Sequence, residues 1–286
     1  MGVAAAARLG SRPLPGPAAA RQRGHARRHH RGLAARAAPP HAPLGRDPGR
    51  PRLPDRRPGR PRARAGRAGT GHLLDPVEAQ LSGTLGTGEA ALVLGLESFA
   101  VPVEGEAGLA LEVCRDAGLR VLEQGARGQA GEAWRSTFVR APYLRESLVL
   151  LGVLVETFET AVTWDRFEAL VADVTAAVTD ALRRVCGGGA VGCRLTHVYP
   201  DGAAPYFTVL APARRGSEVA QWDEVKAAAG EALAAGGGTI THHHAVGRDH
   251  RPWYDGQRPE PFALALGGAK HALDPAGILN PGVLLG

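Results

Sequence analysis

The sequence changes character near His72, and that break limits what the chain can fold into. Residues 1–70 hold seventeen arginines, no lysine, no glutamate and two acids, Asp47 and Asp55, for a net charge of +15. They contain no Phe, Trp or Tyr and eleven of the 22 prolines. A stretch this poor in large apolar groups cannot bury enough surface to offset its ordering entropy. The leader, residues 1–72, is therefore expected to be a disordered Arg/Pro-rich segment, and residues 73–286 to carry the folded domain. The remaining 216 residues hold 17 Lys and Arg against 26 Asp and Glu, a net charge of −9, so the basic isoelectric point belongs to the leader alone. An acidic body excludes a protein that binds nucleic acid over its whole surface.

A basic arm could still hold phosphates by charge. The leader lacks the serines of a transit peptide and the 7–15-residue apolar core of a secretory signal. Arg, Ala, Pro and Gly are also what GC-rich DNA yields in almost any frame, so out-of-frame translation is the expected origin of this segment. No run of about 18 apolar residues is present. The three cysteines fit a reducing compartment, and Cys186 and Cys193 are read as a reduced pair.

From Leu73 onward, periodicity becomes readable. Residues 90–97 and 120–123 read as short strands, and 103–117 as a helix stopped by Gly118. Glu132 to Leu151 is helical in pattern, with a kink or a start at Pro142. Val153 to Thr160 is strand-like. The helix opening at Trp164-Asp165 closes at Gly187-Gly188-Gly189, and the helix Glu218–Ala235 closes at Gly236-Gly237-Gly238. Between them lies a hairpin of residues 191–199 and 206–210 around Pro200-Asp201-Gly202. Thr239-Ile240-Thr241 reads as a strand leading into three histidines, and the last helix spans about Phe262 to Leu273. This order predicts an α+β domain with a mostly antiparallel sheet and helices on one face.

His242-His243-His244 is the sharpest chemical feature. On an extended segment, His242 and His244 share a side and His243 points away. Three such imidazoles make a poor cage for one metal, so no metal is expected. They suit proton transfer near neutral pH. Tyr206, just after a turn, is a candidate proton carrier, and Arg145, near Tyr143, a candidate anion contact. Glu156 and Glu159 fall on opposite faces of their strand, which argues against paired-carboxylate glycosidase chemistry. Lys226 and Lys270 read as solvated helix positions. No Cys-x-x-Cys, serine nucleophile elbow or phosphate-binding glycine loop occurs in the body.

Several segments together resemble one family: Arg145, Glu156-Thr157-Phe158-Glu159-Thr160, Trp164-Asp165-Arg166, residues 193–199, Tyr206-Phe207, residues 242–247, and Asp274-Pro275 with Asn280-Pro281-Gly282. These are similar to alkyldihydroxyacetonephosphate synthases, within the vanillyl-alcohol-oxidase-like FAD-linked oxidases, from about Leu73 to the C-terminus. The resemblance implies the C-terminal cap domain of that fold, with ferredoxin-like elements. It implies FAD as cofactor, and exchange of the acyl chain of acyl-dihydroxyacetone phosphate for a fatty alcohol. Tyr206 would accept and return the proton, with His242, His243 and His244 around the reacting centre. Arg145 would bind the substrate's anionic group, and His243, His244 and Asn280 would contact the cofactor.

The family's FAD-binding half has its place taken here by the leader. An N-terminally truncated form lacking the pyrophosphate-binding domain is therefore expected. The partners that follow are a lipid-like or anionic small molecule, a membrane surface touched peripherally and a second copy of the chain, in the cytoplasm and without nucleic acid. Two other functions remain open. One is an FAD-linked 2-hydroxy-acid oxidase or dehydrogenase, whose members carry Glu-His-Gly where this chain has His243-His244-Ala245. The other is a non-catalytic binding module with a basic arm.

Overall fold

The computed structural model describes residues 2–9, 67–85, 88–98, 102–125 and 129–285. Their strands form one antiparallel sheet in the order β4-β1-β3-β2-β7-β8-β5. The strands are β1 Gly2–Leu9, β2 Arg67–Leu74, β3 Ala90–Ser98, β4 Arg120–Gly125, β5 Val153–Glu159, β7 Ala190–Val198 and β8 Gly202–Pro212. The two-residue β6, Val162–Thr163, pairs with the start of β8. The helices are α1 Pro76–Leu81, α2 Glu104–Asp116, α3 Gln129–Leu150, α4 Trp164–Cys186, α5 Glu218–Ala235, α6 Arg251–Gln257 and α7 Glu260–Leu273. Among the described residues, no helix is long and apolar enough to cross a membrane. The three cysteines are free.

The expected α+β architecture is what is observed. The differences are local and have physical causes. Gly2–Leu9 and Arg67–Leu74 are strands although the leader carries no strand signal. β1, half of it alanine, pairs with β3 on one side and β4 on the other. The disorder expected for residues 10–66 falls outside the described residues. α3 runs through Pro142 as one helix. The short helix α6 carries no strong periodic signal.

The main core lies under α4 and α5. Phe167, Leu170, Val174, Val178 and Leu182 form one buried stripe of α4. The stripe packs on the sheet residues Leu154, Phe158, Leu195, Phe207 and Val209, with Val225, Ala229 and Leu233 of α5 beside it. The Phe158 and Phe207 rings stack at 4.9 Å. Each such side chain contributes about 1.5–3 kcal/mol on burial, so this face is fixed. The opposite face of β5, β7 and β8 is half-covered, and along β8 its residues Tyr206, Thr208 and Leu210 are only partly buried.

Glu156 and Lys226 break the apolar rule. Lys226 is buried rather than solvated, and its Nζ lies 2.7 Å from Glu156 Oε1, while Trp222 donates its indole N–H to Oε2 at 2.5 Å. Lys270 pairs with Asp274, whose carboxylate also accepts the N–H groups of Ile278 and Leu279 at 3.0 Å.

Candidate functional site

The half-covered face gathers its polar residues through strand register. Tyr206 lies opposite Arg194 on β7 and opposite Glu159 on β5, so all three share a side. A register shift between Leu195 and His197 places His197 opposite Ala204. Because Ala204 and Tyr206 are two apart on β8, this bulge turns His197 onto the Tyr206 side, where strict alternation would have sent it to the core.

The triple histidine reaches the same end of the sheet from the other direction. Residues 239–244 are not a strand. The Thr239 carbonyl accepts from Thr160 Oγ1 at 2.5 Å, and its hydroxyl oxygen accepts the Ala161 N–H at 2.9 Å. Gln257 clamps the segment by accepting Ile240 N–H at 2.9 Å and donating to Gly238 O at 2.7 Å. The following N–H groups turn onto one oxygen, Glu159 Oε1: that of His242 at 3.1 Å, and those of His243 and His244. His243 therefore does not point away from its neighbours as alternation predicts. Nδ1 of His243 lies 2.5 Å from Glu159 Oε2 and 3.3 Å from Nδ1 of His242.

The result is a cluster of rings at one end of the open face. Tyr199 OH lies 3.0 Å from Nε2 of His242. His197 sits 5.6 Å from His242 and 5.0 Å from His243, centroid to centroid. The Tyr206 and His244 rings meet at right angles, 5.3 Å apart. The Arg194 guanidinium lies 3.7 Å over the Tyr206 ring and donates to Glu78 at 2.9 Å and to Thr208 at 3.1 Å. Stacking of a cation on an aromatic face is favourable, and it fixes the phenol's direction.

Electrostatics follows this packing. Burial lowers the His244 pKa, helped by the His243, His250 and Lys226 charges and opposed by the Glu159 charge, which raises it. His197 is lowered by burial and by His243 and His242. Both rings are therefore neutral proton acceptors near pH 7. Burial alone would raise Glu159, but the N–H groups of His244 and His243 and their charges outweigh it and lower its pKa. Beneath Arg194, burial raises Asp75 to about 6 despite N–H groups from Glu78 and Cys193. His72 is lowered to about 4 by burial, Arg194 and His197. The ligand atoms of His197, His242 and His243, and those of Glu159, His243 and His244, lie within 4.8 Å of one another, a spacing that could also hold a metal ion.

Of the residues singled out in the sequence, Tyr206, His242, His243 and His244 are brought together. Arg145 is not among them. It lies exposed on α3, and among the described residues no hydrogen bond or ion pair joins it to the cluster. The guanidinium that meets Tyr206 belongs to Arg194. Asn280 is exposed, with φ 45°. Its segment is tied to residues just after the histidines, through Arg248 to Pro281 O and Arg251 to Gly282 O, both at 3.2 Å. Sequence reasoning missed His197, Arg194, Tyr199 and the role of Glu159. Arg194 and His197 lie on β7 and Tyr199 directly after it, but the bulge that sets His197 on the same side leaves no mark in the sequence.

The donor chemistry of these imidazoles and phenols suits the carbonyl edge of a flavin ring. The same residues do not build a pyrophosphate cradle. Both glycine triplets, 187–189 and 236–238, follow helices instead of preceding them. Gly236 and Gly238 are closed off by Leu170 and Thr160.

A family model described as "FAD linked oxidases, C-terminal domain" matches residues 68–284. Alkyldihydroxyacetonephosphate synthase of Caenorhabditis elegans is 36% identical over 160 residues, covering 53% of this chain and 25% of that protein. The enzyme of the same name from Trypanosoma brucei brucei is 29% identical over 155 residues, covering 54% and 25%. The chain thus spans about a quarter of the length of the curated relatives it matches. A solved structure of alkyldihydroxyacetonephosphate synthase superposes with a TM-score of 0.60 at 15% identity, over 98% of this chain and 45% of that one. Substrate-bound p-cresol methylhydroxylase superposes at 0.51 and 11% identity, over 74% and 46%. At these identities, the superpositions show a shared fold.

Proposed function

Because the chain belongs to the family of FAD linked oxidases, C-terminal domain, we propose that it is the substrate-side portion of an alkyldihydroxyacetonephosphate-synthase-type enzyme. The observation that carries this is the perpendicular contact of Tyr206 with His244 inside a cluster of four imidazoles on an open sheet face. The cofactor, when bound, supplies a ring that can store and release an electron pair. His243, His244 and the Asn280 segment would line that ring. Tyr206 would take a proton from the substrate carbon and return it, with neutral His244 as the adjacent acceptor. Arg194 would hold the phenol in line. A substrate phosphate would meet Arg145 only if the substrate extends along the outer surface of α3.

The reading also includes a cytoplasmic location, a homodimer and peripheral contact with a membrane as the source of a lipid-like substrate. Vesicle co-sedimentation and sedimentation equilibrium check the last two. Residues 10–66, most of the basic arm of the binding-module reading, lie outside the described residues.

The test is exchange of labelled fatty alcohol into acyl-dihydroxyacetone phosphate by the chain supplied with FAD. Tyr206→Phe should reduce it about 100-fold or more, the range of general acid–base catalysis. Unchanged exchange in that variant would contradict the assignment of Tyr206. Bleaching of the flavin by lactate or glycolate without exchange would favour the 2-hydroxy-acid reading. Neither activity would refute both for this chain.

A further inference from the structure

A single carboxylate holds three of the four imidazoles, those of His242, His243 and His244. Glu159 ends β5 and is 2% exposed. Its Oε1 takes three successive main-chain N–H groups, of His242, His243 and His244, and such a convergence is an anion-binding nest. Oε2 is buried and makes no hydrogen bond of good geometry, yet lies 2.5 Å from Nδ1 of His243 and 3.7 Å from Nδ1 of His242. A buried carboxylate oxygen is stabilised only by a donor. His243 Nδ1 is the nearest candidate.

We propose that Glu159 is a positioning residue for the imidazole cluster: Oε1 fixes the loop's backbone, and Oε2 keeps the His243 proton on Nδ1. The Nε2 lone pair of this half-exposed ring then faces the open side. The same assignment orders the next ring. The two Nδ1 atoms of His242 and His243 are 3.3 Å apart, and only one of them can place a hydrogen between them. With a hydrogen on His243 Nδ1 directed at Glu159 Oε2, a second hydrogen on His242 Nδ1 would oppose it, so His242 carries its proton on Nε2 and donates to Tyr199 OH at 3.0 Å. One carboxylate thus fixes two tautomers in opposite senses, as carboxylate–histidine pairs do elsewhere. The inference rests on the reading that these imidazoles serve a reaction on the open face, but its test needs neither cofactor nor substrate.

Glu159→Gln separates the two oxygens' roles. The amide oxygen still accepts the three N–H groups, whereas the new NH2 donates towards His243 and requires an acceptor there. Long-range 1H–15N spectra of the histidine-labelled full chain, recorded with a chelator, report each ring's tautomer. The expected result is Nδ1–H for His243 in the wild type and Nε2–H in Glu159→Gln, with the amide shifts of residues 242–244 little changed. Glu159→Ala should move those amide shifts as well. The same His243 tautomer in wild type and Glu159→Gln would overturn the proposal. So would an Nε2–H wild type, or ring shifts that only the chelator restores, which would mean a cation in place of the proton. If the variants fail to fold, the wild-type tautomer alone decides. A protein that carries no synthase activity but shows the expected tautomers would overturn the functional reading and leave this one standing.

Discussion

Replacing Lys226 by Met should destabilise the domain far more than the loss of a surface ion pair would. Lys226 and Glu156 are 7% exposed each and meet at 2.7 Å on the helix-covered side of β5. Among the described residues, the other donor to Glu156 is the Trp222 indole. Lys226→Met leaves a carboxylate inside the core with one neutral donor. Removing one member of a buried pair costs about 3–5 kcal/mol, whereas replacing both by apolar side chains of similar volume is often neutral or stabilising. The double variant Lys226→Met/Glu156→Leu should therefore recover most of the loss, with the Trp222 N–H left as a remaining penalty of about 1–3 kcal/mol. Urea unfolding followed by far-UV circular dichroism at pH 7 measures all three proteins, and linear extrapolation gives the differences. The reasoning fails if Lys226→Met loses under about 1 kcal/mol, the range of an exposed pair. It also fails if the double variant is less stable than either single one, because the pair would then be a net stabiliser.

Four other outcomes follow from the same structure. Asp75, raised to about 6, contributes stability below about pH 4 that is lost as pH rises through 6. His72, lowered to about 4, contributes stability above about pH 6.5 that is lost as pH falls through 4. The two oppose each other, so Asp75→Asn should make acid unfolding steeper. His72→Gln should instead make stability fall between pH 4 and 6, by about 3 kcal/mol at most, in denaturant titrations at each pH. Gly202→Ala should cost about 1–3 kcal/mol, since its new methyl group would press on the Val162 carbonyl and open the β6–β8 pairing. Arg194→Ala should lose about 3 kcal/mol by stranding the buried Glu78, and Arg194→Lys should lose less while still changing the near-UV signal of Tyr206.

Elements whose ends carry glycine were legible in the sequence. α5 was placed at its observed limits and α4 within a residue, because a helical apolar stripe runs into a glycine triplet that no helix continues through. The 239–241 segment was misread as a strand because its β-branched residues satisfy their backbone through Thr160, Ala161 and Gln257, contacts 17 to 79 residues away. Lys226 was misread as solvated because nothing local signals that its partner, Glu156, sits seventy residues earlier. Three histidines in a row were visible as chemistry, but their arrangement was not. It depends on Glu159, and on a bulge that turns His197 to their side. Tyr206 reads in the sequence as a strand tyrosine after a turn, and the strand register that sets it beside His244 is not visible there. Arg145 was paired with Tyr206 by resemblance, while strand register gave that place to Arg194.

The account rests on the open end of the β7–β8 face being a flavin-contacting surface. The most direct measurement is titration of the isotope-labelled chain with FAD, following histidine and tyrosine ring signals together with backbone amides. The account predicts weak binding, with shifts concentrated at His197, His242, His243, His244 and Tyr206, and little change at Gly187–Gly189. Shifts centred elsewhere on the domain, or none at these five residues with FAD in saturating excess, would contradict it.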